Sequence, residues 1–392
     1  MCSTAPSQMA TQPSAPRVAL VTTLLLPRGS AGVVASFIEW HTKIGIDALY
    51  LYFDDDTSDE PEGWPQADHP RVVRRRRSPG MLEEQKSLRC WARFGPFHET
   101  EVQARQALNA EHASLHAKSD GCTWLLHLDI DELFHVTSPE ALGTHFADLE
   151  HQKVGHCTYA NHEGVAESPN VENYFREVTL FKWNHHSLPL TSAVQRSMAW
   201  WRARSEHGQY LLCYDCGKSA VKLVEGIEPS SPHAWRTPLK RVSALADARL
   251  DLSERVPNPG AMPCVLHYVS CGVFWLRTKY EILGRFEDSW FGGSLPIAPS
   301  FHLDARDVVL AKDEAALTAF YDRHLAPPAS EELEAQLRAG ILKRVAAPCD
   351  LLGGTVRQER RAVVVAPPPP PPDAGFSSEK AWILSAAASK FL

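Results

Sequence analysis

Apolar positions in the first third of the chain fall into blocks of two alternating kinds. Residues 17–26, RVALVTTLLL, form a β-rich apolar run. GVVASFIEWHTKIG follows, with Val34, Phe37, Ile38 and His41 at helical spacing and Gly45 placed as a C-terminal cap. DALYLYFDDDTSD reads as a buried strand ending in acids, and RVVRRRR as a shorter third strand. Residues 99–118, ETEVQARQALNAEHASLHAK, predict a helix, and TWLLHLD the strand after it. Strands that are apolar throughout, alternating with helices, predict an α/β fold with a parallel sheet covered on both faces.

The second half is more mixed. EVTLFKWN, GKSAVKLV and CVLHYVS are strand-like, with polar, Pro-containing loops between them, and residues 276–290 and 311–343 read as helical. One domain over 17–345 is expected, after a disordered N-terminus at 1–16 that is small, polar and acid-free. A Pro-rich linker at 346–373, containing AVVVAPPPPPPDAG, and a short tail at 374–392 should follow it.

Composition narrows this little. The 392 residues are 44% hydrophobic, and 40 Lys plus Arg against 47 Asp plus Glu leave a formal charge of -7, which argues against bulk nucleic-acid binding. No stretch has the roughly eighteen apolar residues of a membrane helix, and the N-terminus lacks the pattern of a secretory signal. The chain reads as soluble, with no compartment assigned. Nine cysteines are scattered, and the lone CxxC of Cys213 and Cys216 has no second pair to make a zinc site, so reduced thiols are expected.

The chemistry lies where strands end in acids. Ligands of open parallel sheets bind beyond the carboxyl ends of the strands. In WLLHLDIDELF, an extended backbone would point Asp129 and Asp131 the same way, making half of a divalent-cation site. Asp54, Asp55 and Asp56 form a second cluster, suited either to capping a turn or to accepting hydrogen bonds from a base and ribose. Arg105 and Asn109, four apart, share a helix face that could reach the same nucleotide. His267, ending the apolar strand PCVLHYV, is either a core histidine or a metal ligand.

These blocks resemble family 92 glycosyltransferases and their relatives. The resemblance rests on ASFIEWHTKIGIDALYLYFDDDTSD, EVQARQALNAEHA, WLLHLDIDELF, GKSAVKL, PHAW and PCVLHYVSCGVFWLRTKY, in that order over residues 17–290. It implies a glycosyltransferase A-type fold, with a mostly parallel central sheet flanked by helices and a mixed acceptor-side half. It also implies a nucleotide-sugar donor, a carbohydrate or glycoconjugate acceptor, Mn²⁺ or Mg²⁺, and transfer with inversion. By position, Asp129 would face the donor ribose as well as the metal, and Asp131 and His267 would ligate the metal. Asp54 and Asp55 would lie at the base, and Lys218 and His233 near the diphosphate. Where relatives carry an Asn-Glu pair this chain reads PRGSAG, which leaves the donor unidentified. The general base would come from the second half, with Glu163, Glu167 and Asp215 as candidates. Two other functions fit parts of the pattern. A haloacid-dehalogenase-like phosphohydrolase also uses two Asp after an apolar strand, but wants Thr or Val where Leu133 stands. A non-catalytic nucleotide-sugar or carbohydrate-binding protein would keep the fold without turnover.

Overall fold

A computed structural model describes residues 15–25, 30–54, 69–245, 253–256, 262–298 and 300–355. Fourteen strands carry the argument. They are β1 (Val18–Leu24), β2 (Ala48–Phe53), β3 (Val72–Arg76), β4 (Trp124–His127), β5 (Glu132–His135), β6 (Val154–Tyr159) and β7 (Asn161–Gly164). After these come β8 (Leu180–Lys182), β9 (Lys218–Lys222), β10 (Glu228–Ser231), β11 (Ala234–Arg236), β12 (Lys240–Ser243), β13 (Ser253–Arg255) and β14 (Cys264–His267).

The principal sheet has eight strands in the order β13-β12-β6-β9-β4-β1-β2-β3. Its β3, β2, β1 and β4 run parallel, as the unbroken apolar blocks predict. Side chains alternate across β1: Val18, Leu20 and Leu24 pack against Val34, Phe37 and Ile38 of the helix Ala31–Lys43. On the other face, Ala19 and Val21 meet Ala110, Ala113 and Ala117 of the helix Val102–Ser119. These small side chains let that helix lie close to the sheet. The fold is thus mixed α/β, with a large, mostly parallel sheet flanked by helices.

Apolar periodicity does not reveal strand direction, and β9 runs antiparallel between β4 and β6. Its first residue, Lys218, therefore lies beside the end of β4, where the acids begin. A second, five-stranded sheet has the order Leu342–Arg344, β8, β7, β14, β5, and β5 follows β4 after one tight turn. The nitrogen Nε1 of Trp40 donates to the Phe134 carbonyl at 2.8 Å, tying the first helix to this second sheet.

The linker does not begin at residue 346. The helix Ala347–Leu351 still packs on the body, with Cys349 buried against the Arg176 carbonyl and Leu352 in the main core. Apolar Cys349 and Leu352 gain more from burial than a solvated linker would offer. The polyproline run, the tail, most of the N-terminal segment, and Asp55 and Asp56 lie outside the described residues. Among the described residues, no helix is long and apolar enough to cross a membrane.

Phe37 is fully buried against His41 and Phe175, so Phe37→Ala should cost about 3–5 kcal/mol in a denaturant titration. Leu190, 80% exposed, should change stability by under about 0.5 kcal/mol when replaced by Ala.

Candidate functional site

The Asp129–Glu132 segment is a turn. The Glu132 N–H donates to the Asp129 carbonyl at 3.1 Å, and the Asp129 N–H donates to Glu132 Oε2 at 2.8 Å. The backbone between Asp129 and Asp131 is thus a turn and not extended, and each carboxylate has its own cation. Asp129 accepts from Lys218 Nζ at 2.8 Å and from Gln106 Nε2 at 2.7 Å. Asp131 accepts from Lys279 Nζ at 2.8 Å and lies 3.6 Å from His267 Nε2. Burial pushes the Asp129 carboxyl up, but Lys218 outweighs it and holds the group at about 2. Burial likewise opposes ionisation of Asp131, yet Lys279 and His267 hold it well below the usual carboxylate range.

Beside this turn, the second sheet carries four polar residues abreast. His267 is in register with Glu132 on one side and Glu163 on the other, and Glu163 is in register with Lys182. Paired residues of neighbouring strands project to the same face, so the four form one row. All four are buried, none more than 2% exposed. Residues 211–218, LLCYDCGK, lie across the row. The N–H groups of Leu212 and Cys213 donate to Glu163 Oε1 at 2.7 and 3.0 Å, and the Tyr214 hydroxyl donates to Glu132 Oε1. The Tyr214 ring sits 5.1 Å from that of His267. Asn161 fixes the segment from below, donating to the Tyr214 carbonyl at 2.8 Å and accepting from the Gly217 N–H at 3.2 Å. Gly217 has φ +72, and a Cβ there would stand 2.1 Å from the Tyr159 carbonyl oxygen. Only glycine delivers Lys218 to Asp129 by this path. Burial pushes Glu132 up to about 7, against the pull of Lys218.

The other residues singled out in the sequence fall into two groups. His233, between β10 and β11, donates from Nδ1 to the Gly217 carbonyl at 2.9 Å and packs on Tyr214. Burial and the Lys218 charge press its ring down to about 3. It thus borders the site as a neutral ring. Asp54 and Arg105 hold each other through two hydrogen bonds of 2.5 and 2.7 Å at the end of β2. Asn109 lies apart from solvent, its amide spent on Gln85 and Thr23. Glu163 ion-pairs with Lys182 at 3.0 Å besides holding the 211–218 segment, and Glu167 is bonded twice to Arg344. Both carboxylates are thus paired with cations. Asp215 is half exposed and faces His185 and His186. Cys213 and Cys216 are free thiols.

Glu132, read in the sequence only as an acid that could cap the turn, does accept the Asp129 N–H there, and Tyr214, Lys279, Gln106 and Asn161, not singled out in the sequence, complete the site. Lys279 and Gln106 stood on helices whose lysine and glutamine already formed part of the family resemblance, and that was the available signal. For a metal, the telling feature is His267. Neither of its ring nitrogens has a hydrogen-bond partner, although the residue is buried and 3.6 Å from Asp131. An orphaned imidazole beside a carboxylate suits a divalent cation, so Asp131 and His267 fit as ligands. Asp129 is instead held by Lys218 and Gln106.

No protein-family model matches the chain. It is 28% identical over 230 residues to one glycosyltransferase-like protein of Arabidopsis thaliana, covering 56% of this chain and 49% of that protein. A second such Arabidopsis protein is 26% identical over 235 residues, covering 56% and 43%. The chain thus spans about half the length of these relatives. Core-mannan synthase A of Aspergillus fumigatus, in its Mn/GDP form, overlays 55% of this chain and 62% of its own at 10% identity and a TM-score of 0.26. The mannosyltransferase Ktr4p of S. cerevisiae, in complex with GDP, overlays 41% and 43% at 11% identity and a TM-score of 0.22. Likenesses this slight carry no inference about the site.

Glu163→Ala should destabilise the protein by about 3–5 kcal/mol in thermal or denaturant unfolding, because it strands the buried Lys182 charge and two N–H groups. Glu163→Gln, which keeps an acceptor, should cost less. The Asp129 carboxyl is depressed from 3.8 to about 2, so its pairing stabilises the fold above pH 4 and is lost as pH falls toward 2. The stability gap between the wild type and Asp129→Asn should shrink across that window.

Proposed function

We propose that this chain is a metal-dependent glycosyltransferase that moves a sugar from a nucleotide-sugar donor to a hydroxyl of a glycan or other acceptor, with inversion. The glycosyltransferase-like relatives support the reaction class. The observation that carries the reading is His267, buried, without a hydrogen bond and 3.6 Å from Asp131, at the carboxyl end of a parallel strand. Asp131 and His267 would hold Mn²⁺ or Mg²⁺, and such an ion, when bound, supplies counter-charge for a departing diphosphate. Lys218 and Lys279 bring two more positive charges to the same turn, suited to phosphate oxygens. Asp129, fixed by Gln106 and Lys218, would accept from a donor hydroxyl. Asp54 and Arg105, each satisfied by the other, would meet the nucleotide as a unit. The Tyr214 segment roofs the row and limits water there, which strengthens every charge interaction beneath it.

A second reading, nucleotide-sugar or carbohydrate binding without turnover, is favoured by one observation. Lys279 already pairs with Asp131 at 2.8 Å, so that carboxylate has a counter-charge without an ion.

A panel of nucleotide sugars incubated with the protein and Mn²⁺ separates the two. Metal-dependent release of nucleoside diphosphate is expected. Asp131→Ala should lower that release at least about a hundredfold while leaving the circular dichroism spectrum unchanged. Full activity in Asp131→Ala would refute the ligand assignment, and donor binding without release would establish the second reading.

A further inference from the structure

The sequence pattern gave His185 and His186 no role, and Asp215 that of a candidate base. His185 and His186 form a single turn of 3-10 helix after β8, their ring centroids 4.0 Å apart. Asp215 Oδ2 lies 3.8 Å from His185 Nε2 and 3.9 Å from His186 Nε2. One ligand atom from each residue falls within 4.8 Å of the others, and all three side chains are only partly buried.

The three come from segments about thirty residues apart, and one side chain holds both. Asn184, fully buried, accepts from the His186 N–H at 3.0 Å through Oδ1. Through Nδ2 it donates to the Asp215 carbonyl at 3.0 Å and to Asn161 at 3.2 Å. The backbones presenting the imidazoles and the carboxylate are thus pinned to one amide before any ligand arrives. We propose that His185, His186 and Asp215 form a second metal site, for a late first-row divalent cation such as Zn²⁺, distinct from the Asp131–His267 pair.

The chemistry fits that class of ion. Two imidazoles and a carboxylate suit zinc and its neighbours, and three protein ligands leave a position open to water. Tetrahedral zinc with bonds of about 2.0–2.1 Å sets its donors about 3.3 Å apart, so the carboxylate needs to close on each imidazole by about half an ångström. A bound ion would fasten the 211–218 segment, and with it Tyr214 and Lys218, to the end of β8. It would also account for a half-exposed acid turned toward two rings and not toward the Asp131–His267 pair. The cluster Glu84, His112 and His116 has the right residue types but fits worse. Both ring nitrogens of His112 are engaged, by Tyr52 and Glu84, and the Arg75 guanidinium sits 3.4 Å from His116 Nδ1, where it would repel a cation.

The test reads binding and not turnover, so its failure is separate from failure of the transferase reading. The full chain carrying Asp131→Ala is freed of metal with a chelator and titrated with Zn²⁺ by calorimetry. One equivalent should bind. Adding His186→Ala or Asp215→Asn should weaken binding by at least roughly tenfold, while Cys216→Ser and His116→Ala should not. Should Asp131→Ala fail to fold, the same substitutions in the wild-type chain should remove one equivalent. Cobalt titration of the wild type gives a second readout. The spectrum should show nitrogen and oxygen ligation without an intense sulfur charge-transfer band. No bound zinc, binding indifferent to His186→Ala and Asp215→Asn, or loss on Cys216→Ser or His116→Ala would each overturn the proposal.

Discussion

The row Glu132, His267, Glu163 and Lys182 is the constraint on which the rest of the site depends. Burying ionisable groups is costly, and each here is tolerated only through its neighbours. Glu163 has Lys182 and two backbone N–H groups; Glu132 has Tyr214, the Asp129 N–H and Lys218. Four of these partners, the Leu212 and Cys213 N–H groups, Tyr214 and Lys218, come from the 211–218 segment, so that segment has to lie across the row. Once it does, Gly217 and the antiparallel run of β9 bring Lys218 to Asp129. The polar row thus places the charges at the turn, though it belongs to the other sheet.

Counting charge shows what the arrangement leaves over. Asp129, Asp131, Glu132 and Glu163 face Lys182, Lys218 and Lys279, four carboxylates against three ammonium groups. His267 is the one member of the row without a hydrogen bond. Part of the charge deficit is met by a proton, since burial raises Glu132 to about 7. A divalent ion between Asp131 and His267 would more than offset the remainder and engage the imidazole at once.

Much of the fold was legible because it is local. The first strand, the helix after it, β2, the helix over residues 102–119 and β4 follow from apolar periodicity, and Asp129 and Asp131 stood out as acids ending a buried strand. The partners did not. Lys279 reaches Asp131 across 148 residues and Lys218 reaches Asp129 across 89. Nothing in local spacing encodes such closures. The turn at Ile130 and Asp131 was missed for a related reason. A two-residue spacing implies a shared face only in extended backbone, and β4 ends before the acids begin. The pairing of Glu163 was not legible either, because residue type does not show whether a carboxylate is free. Its partner Lys182 lies one strand away, in a segment read only as apolar.

Lys279 connects the two readings of the site. Its ammonium group holds Asp131 from the helix Val273–Leu283, and its side chain keeps about a quarter of its surface in solvent. A lysine on a flexible stem can leave one anion for another at little cost when both are near. A diphosphate reaching the turn would bring such an anion and draw Lys279 outward, freeing the Asp131 oxygen nearest His267. Lysine and divalent ion would then succeed one another at that oxygen and not exclude one another. Donor phosphate and metal would bind more tightly together than either does alone, a coupling that reciprocity requires to be equal in both directions. The same lysine that lets Asp131 stand without an ion would be what makes the ion wait for the donor.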